Sequence, residues 1–167
     1  MMDTEPEARV VVVLTPDDVG WPPMATESLR AISLGGDRFR IASAPWFAQN
    51  LAVDDVVIAR SVGVPADAGA ETVGTPVFVE VAEPSEHCTL RLIVHSPDTL
   101  AGVADELTVL GLRVEGFAHY SMLAVDVPPG ADFAAVALAI VDGERAGRWD
   151  WEEGRITARW VAATAAR

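Results

Sequence analysis

At 167 residues, half of them hydrophobic and 22% charged, the chain has ordinary globular composition, which excludes wholesale disorder and allows one full core or two small domains. All twelve basic residues are arginine, against 25 acids, for a formal net charge of −13. The charge is spread evenly along the sequence with no basic stripe; this argues against nucleic acid, whose affinity comes mostly from phosphate contacts, and against an anionic membrane surface.

The longest apolar stretch, Phe133 to Val141, falls well short of the roughly 20 residues a membrane span needs. The N-terminus reads Met-Met-Asp-Thr-Glu-Pro-Glu. It lacks the basic-then-apolar pattern of a secretory signal, so a cytoplasmic location is expected. A single cysteine, Cys88, permits no internal disulfide.

Residues 1–8 read as a frayed tail. Arg9 to Leu14 (RVVVVL) is a β-branched run and predicts a buried strand. Trp21-Pro22-Pro23 marks a loop or an extended edge, because proline donates nothing to a ladder. Glu27 to Leu34 and Arg38 to Ala42 predict a hairpin across Gly35-Gly36-Asp37. Pro45 is placed to open a short helical turn carrying Trp46 and Phe47. Val56 to Arg60 and Pro76 to Ala82 are further strands, and the small, aperiodic residues 61–75 between them predict a loop. Five short strands with hairpin-like links predict a small antiparallel β-barrel-like sheet over residues 1–83, either a partly open barrel or a curled sheet.

Residues 84–154 carry the clearest pattern. Leu90, Leu92 and Val94 alternate with Arg91, Ile93 and His95. Ser96-Pro97 matches an N-cap with proline at the first helical position. Leu100, Val103, Ala104, Leu107 and Leu110 then recur at helical spacing, and Gly111 sits where a left-handed cap belongs. Leu112 to Phe117 and Tyr120 to Val127 are strands. Asp132 is placed to cap a helix bearing Phe133, Val136, Ala137, Ile140 and Val141, stopped by Gly143 or Gly147. Arg148 to Glu152 is the last strand, and residues 155–167 form a tail helix. The fold class is therefore α+β, with a ferredoxin-like βαββαβ sandwich following the barrel-like domain. The sheet face away from the helices is expected to carry mixed charge and to be covered.

Few residues point to chemistry. Ser85, His87 and Cys88 form the densest reactive cluster, since a serine or cysteine beside histidine can make a nucleophile–base pair. Neighbours on an extended chain point to opposite sides, so Ser85 and His87 share a side and Cys88 does not. No nucleophile elbow flanks them. His87, His95 and His119 match no ligand spacing, so neither a metal site nor a cofactor is expected. Asp54-Asp55, and Glu80 with Glu83, are carboxylate pairs better explained as turn and surface acids. Trp21, Trp46 and Phe47 sit in proline-marked loops, where they either line a binding groove or plug one end of the barrel.

The runs Trp21-Pro22-Pro23, Asp37-Arg38-Phe39-Arg40-Ile41, Pro45-Trp46-Phe47-Ala48, Glu83-Pro84-Ser85-Glu86-His87-Cys88-Thr89-Leu90-Arg91, Val125-Asp126-Val127-Pro128-Pro129 and Trp149-Asp150-Trp151-Glu152-Glu153 occur together. This set resembles a bacterial family of uncharacterised proteins, the domain-of-unknown-function family numbered forty-two sixty-five. The likeness runs from about Val10 to Gly154. Glu86 departs from it, standing where a glycine is expected after Ser85. The resemblance implies no reaction, cofactor or partner. It directs the search for a site to its hallmark segment, at Glu83, Ser85, His87 and Arg91. The expected function is a non-catalytic acidic binding protein with a protein partner, in one version a basic one neutralised as immunity proteins neutralise toxins, and with homodimerisation as an option. The alternative is a small-molecule-sensing module, and a hydrolase-like enzyme using Ser85 and His87 ranks third.

Overall fold

β-Branched and alternating segments become strands where the sequence calls for them. In the computed structural model, which describes residues 6–61 and 74–165, the first five are β1 (Glu7–Val13), β2 (Thr26–Ser33), β3 (Arg38–Ile41), β4 (Val56–Arg60) and β5 (Val77–Glu83). Successive strands pair antiparallel, and β1 meets β5 in parallel at Val11 and Val77, so the sheet closes into a ring. Val10, Val12, Leu29, Ala31, Phe39, Ile41, Val57 and Ala59 are buried at alternate positions, as a strand with one inward face requires. The β2–β3 turn uses Gly35 and Gly36 at φ +95° and +60°, a backbone region that costs glycine nothing.

Two sequence expectations change here. The strand begins at Glu7, which pairs with Ile32, so the tail is shorter than residues 1–8. No helical turn forms after Pro45. The amides of Trp46, Phe47 and Ala48 are instead drawn to the carboxylate of Glu27, which supplies the acceptors a helix would otherwise provide. Residues 1–5, and 62–73 of the expected loop, lie outside the described residues.

The chain divides into two units, Met1–Ser85 and Glu86–Arg167. The second contains β6 (Cys88–Val94), α1 (Leu100–Val109), β7 (Arg113–Phe117), β8 (Met122–Val127), α2 (Phe133–Arg145), β9 (Trp149–Arg155) and α3 (Ala158–Ala165). Its sheet runs β7-β8-β6-β9, antiparallel throughout. Leu90, Leu92, Leu123 and Val125 pack against Val103 and Leu107 of α1 and Val136 and Ile140 of α2, so both helices cover one face. Each such side chain contributes roughly 1.5–3 kcal/mol on burial. Trp160 of α3 joins the same core, edge-on to Phe133 and Trp151.

The helix ends follow local chemistry. Asp132 caps α2 by accepting from the amides of Ala134 and Ala135. Gly111 and Gly147, at φ +81° and +69°, terminate α1 and α2. Ser96 stands at the N-cap with Pro97 following it, as expected, but the detail differs. Its side chain caps nothing, and Pro97–Thr99 forms a short 3-10 turn before α1, closed by the Thr99 hydroxyl donating to the Ser96 carbonyl.

The second sheet face is dry at its centre. Thr89, Arg91, Met122, Ala124 and Asp126 are all buried there, while Ile93 is 44% exposed. The two charged groups in that dry region define the site described next.

Candidate functional site

His87 precedes β6, and its Nδ1–H donates to Asp126 Oδ1 at 2.6 Å. The second carboxylate oxygen of Asp126 accepts from Arg113 Nε at 2.8 Å. Asp126 is 1% exposed, and Arg113 is mostly in solvent. The three side chains form a histidine–aspartate–arginine chain linking the start of β6 to β8 and β7. A buried carboxylate on Nδ1 fixes the orientation and tautomer of an imidazole, which is the orienting half of a nucleophile–base device.

The nucleophile half is committed elsewhere. Ser85 Oγ donates to the Val53 carbonyl at 2.7 Å, and a hydroxyl carries only one proton. The Ser85 amide donates to Asp55 Oδ1 at 2.6 Å, and Asp55 Oδ2 accepts from the Ala52 amide at 2.8 Å. Asp55 is therefore a buried anchor that ties the 52–55 turn to Ser85, while Asp54 is exposed in a left-handed conformation. Cys88 is buried in the helix-side core, with Sγ 3.5 Å from Thr157 Oγ1. Glu83 forms an exposed ion pair with Arg38, a kind of contact worth about 0–1 kcal/mol.

Arg91 lies at the middle of β6 and is 2% exposed. Its Nη1 donates to Glu152 Oε1 at 2.6 Å across the β6–β9 ladder, where the two residues are register partners. Gly154 makes room for it: a Cβ there would come within 2.6 Å of Arg91 Nη2. A strand glycine thus marks close approach of a side chain.

Among the aromatic candidates, Phe47 is buried and meets Trp21 edge-on, with ring centroids 5.5 Å apart. Trp21 and Trp46 are half-buried. The Trp46 amide, with those of Phe47 and Ala48, converges on Glu27. Sequence reasoning missed Glu27, which it treated as an ordinary strand residue. It also missed the link from His87 to Asp126. The available signal was an acid flanked by valines, Val125-Asp126-Val127, in a strand whose residues are all buried.

His95 sits at the exposed end of β6. Nδ1–H donates to the Gly147 carbonyl at 2.8 Å, and Nε2 lies 3.0 Å from Asp150 Oδ2. The hydrogen bond to Asp150, and then that to Gly147, raise its pKa above the usual 6.5, outweighing a small opposing desolvation. Because the folded-state pKa is raised, the contribution of His95 is complete below the unfolded pKa. It is lost as the pH climbs through the folded value. An NMR titration of the His95 ring is expected to give an elevated midpoint, falling toward 6.5 in Asp150→Asn; an unchanged midpoint in that variant would refute the pairing.

Among the described residues, no group of three histidine, cysteine, aspartate or glutamate side chains is placed to hold a metal ion. No described helix is long and apolar enough to cross a membrane.

Ring, helix-covered sheet and the internally clipped residues 85–91 together define a mixed α+β protein, with two sheets, antiparallel except where β1 meets β5, and three α-helices among the described residues. The chain belongs to the family described as Domain of unknown function (DUF4265), whose model matches residues 27–151. A solved structure, "Novel crystal structure of a hypothetical protein from Neisseria gonorrhoeae", is similar over 90% of this chain and 95% of that chain. The TM-score is 0.64 and the identity 21%, a likeness that carries the fold alone. No curated protein matches the chain significantly.

Proposed function

We propose that this is a non-catalytic binding protein that acts through contact with a basic protein partner. The observation that carries the reading is the fate of the hallmark segment. Ser85 is held by Val53 and Asp55, His87 by Asp126, and Arg91 by Glu152. Side chains occupied in fastening their own strands support an architectural role for the motif and shift function to the exposed surface. Both units are acidic: the first carries five arginines against thirteen acids, of which Glu27 and Asp55 are buried, and the second seven against twelve, of which Arg91 and Asp126 are buried. A negative field of this kind favours encounter with a positive partner.

The strand order β7-β8-β6-β9 with both helices on one face supports reading the second unit as ferredoxin-like, and the closed ring supports reading the first as a small barrel. A free, buried Cys88 suits a reducing, cytoplasmic location.

Affinity capture from the native host at low and high salt tests the proposal. A basic partner retained at low salt and released at high salt is expected, since screening weakens exposed charge pairs. Ser85→Ala is expected to leave capture unchanged. Recovery of no partner, or of one insensitive to salt, would count against this function.

A further inference from the structure

The even spread of charge along the sequence hides a local concentration in space. Arg9 on β1 and Arg30 on β2 are twenty-one residues apart in the chain yet are direct register partners, so their side chains leave the sheet side by side. Both are exposed, while the flanking Val10, Leu29 and Ala31 are buried. Alternation therefore puts both arginines on the outer face of the ring. Arg40 on β3 stands opposite Ile32 on the same face. Two of the chain's twelve arginines are thus direct neighbours across one ladder. Arg9 and Arg30 border a groove of about 640 Å³, lined also by Glu7, Ile32 and Ala42, whereas Arg40 lies outside it.

We propose that this groove binds a small oxyanion, the phosphate or carboxylate head of a compact ligand whose apolar body lies on Ile32 and Ala42. Paired guanidiniums match the geometry of either head group. Each guanidinium has five N–H donors, so a ligand can be held alongside any contact the arginines already make. The volume suits a small molecule. The net charge of −13 opposes an extended polyanion but not a compact ion held at short range. This site lies on the first unit's outer face and is separate from the hallmark residues, so its test is independent of partner capture.

The test follows the arginine Nε–H resonances of the full chain by NMR during titration with inorganic phosphate, and separately with acetate, at constant ionic strength. Saturable shifts at Arg9 and Arg30 are expected, with affinity at least about tenfold weaker in Arg9→Gln, the loss typical of one charge-assisted hydrogen bond. Arg30→Gln is the second variant, and thermal unfolding of each confirms an intact fold. Tighter phosphate than acetate assigns a phosphoryl ligand, and the reverse assigns a carboxylate. Shifts that never saturate for either probe, or binding that survives both substitutions, would overturn the site.

Discussion

Replacing Gly143 with alanine is expected to destabilise the protein by about 1–3 kcal/mol, the usual cost of overpacking a filled core. Helix propensity alone predicts the opposite, since alanine is favoured over glycine by about 1 kcal/mol in a helix interior. The geometry decides between them. A Cβ at position 143 would fall 1.8 Å from Trp149 Cζ2 and 2.3 Å from two further ring atoms. The indole cannot easily withdraw: it is buried, its Nε1–H donates to the Ile140 carbonyl at 3.1 Å, and the Arg148 guanidinium lies over it at 4.7 Å. Gly102, exposed in α1 with nothing near its missing Cβ, is the matched control, and Gly102→Ala is expected to stabilise by up to about 1 kcal/mol. Urea unfolding should move the two midpoints in opposite directions at constant slope. If both moved upward, Trp149 would not press on α2 as described.

Truncating Asp126 to alanine is expected to cost about 3 kcal/mol, near the top of the range for stranding a buried donor and the bottom of that for breaking a buried ion pair. The carboxylate is the shared acceptor for His87 and Arg113. Its loss leaves the His87 Nδ1–H without that partner in a site from which water is largely excluded. Arg113→Ala removes only the solvent-exposed end, 60% accessible, and is expected to cost less than about 1 kcal/mol. A double-mutant cycle between His87 and Asp126 should return most of the larger figure as coupling. Equal effects for Arg113→Ala and Asp126→Ala would place the energy at the surface rather than in the buried link.

Periodicity made the secondary structure legible, because strand and helix repeats follow directly from which side faces the core. The pattern Leu90, Leu92, Val94 and the run Leu100, Val103, Leu107 correspond to β6 and α1 packed on each other. Local capping chemistry was equally readable at Asp132 and Gly111. Long-range polar pairing was not. Asp126 and Arg91 alternate onto a face that looks merely charged, and only register brings Asp126 beside His87 or Glu152 beside Arg91. Of the two stop signals the sequence offers, Gly147 ends α2, while Gly143 lies inside the helix because Trp149 occupies the space of its side chain. Family resemblance directs attention to residues 83–91 but not to the work they perform, since a motif names side chains and not what they touch.

Glu27 has one more implication. Its carboxylate receives three successive main-chain amides, at positions 46, 47 and 48, and so grips the loop by its backbone. Such a grip is indifferent to what the loop displays. The exposed side chain at 49 can thus change without loosening the segment, provided the acid at 27 is kept, which makes this tip of the loop a place where related proteins can acquire new specificities on an unchanged frame.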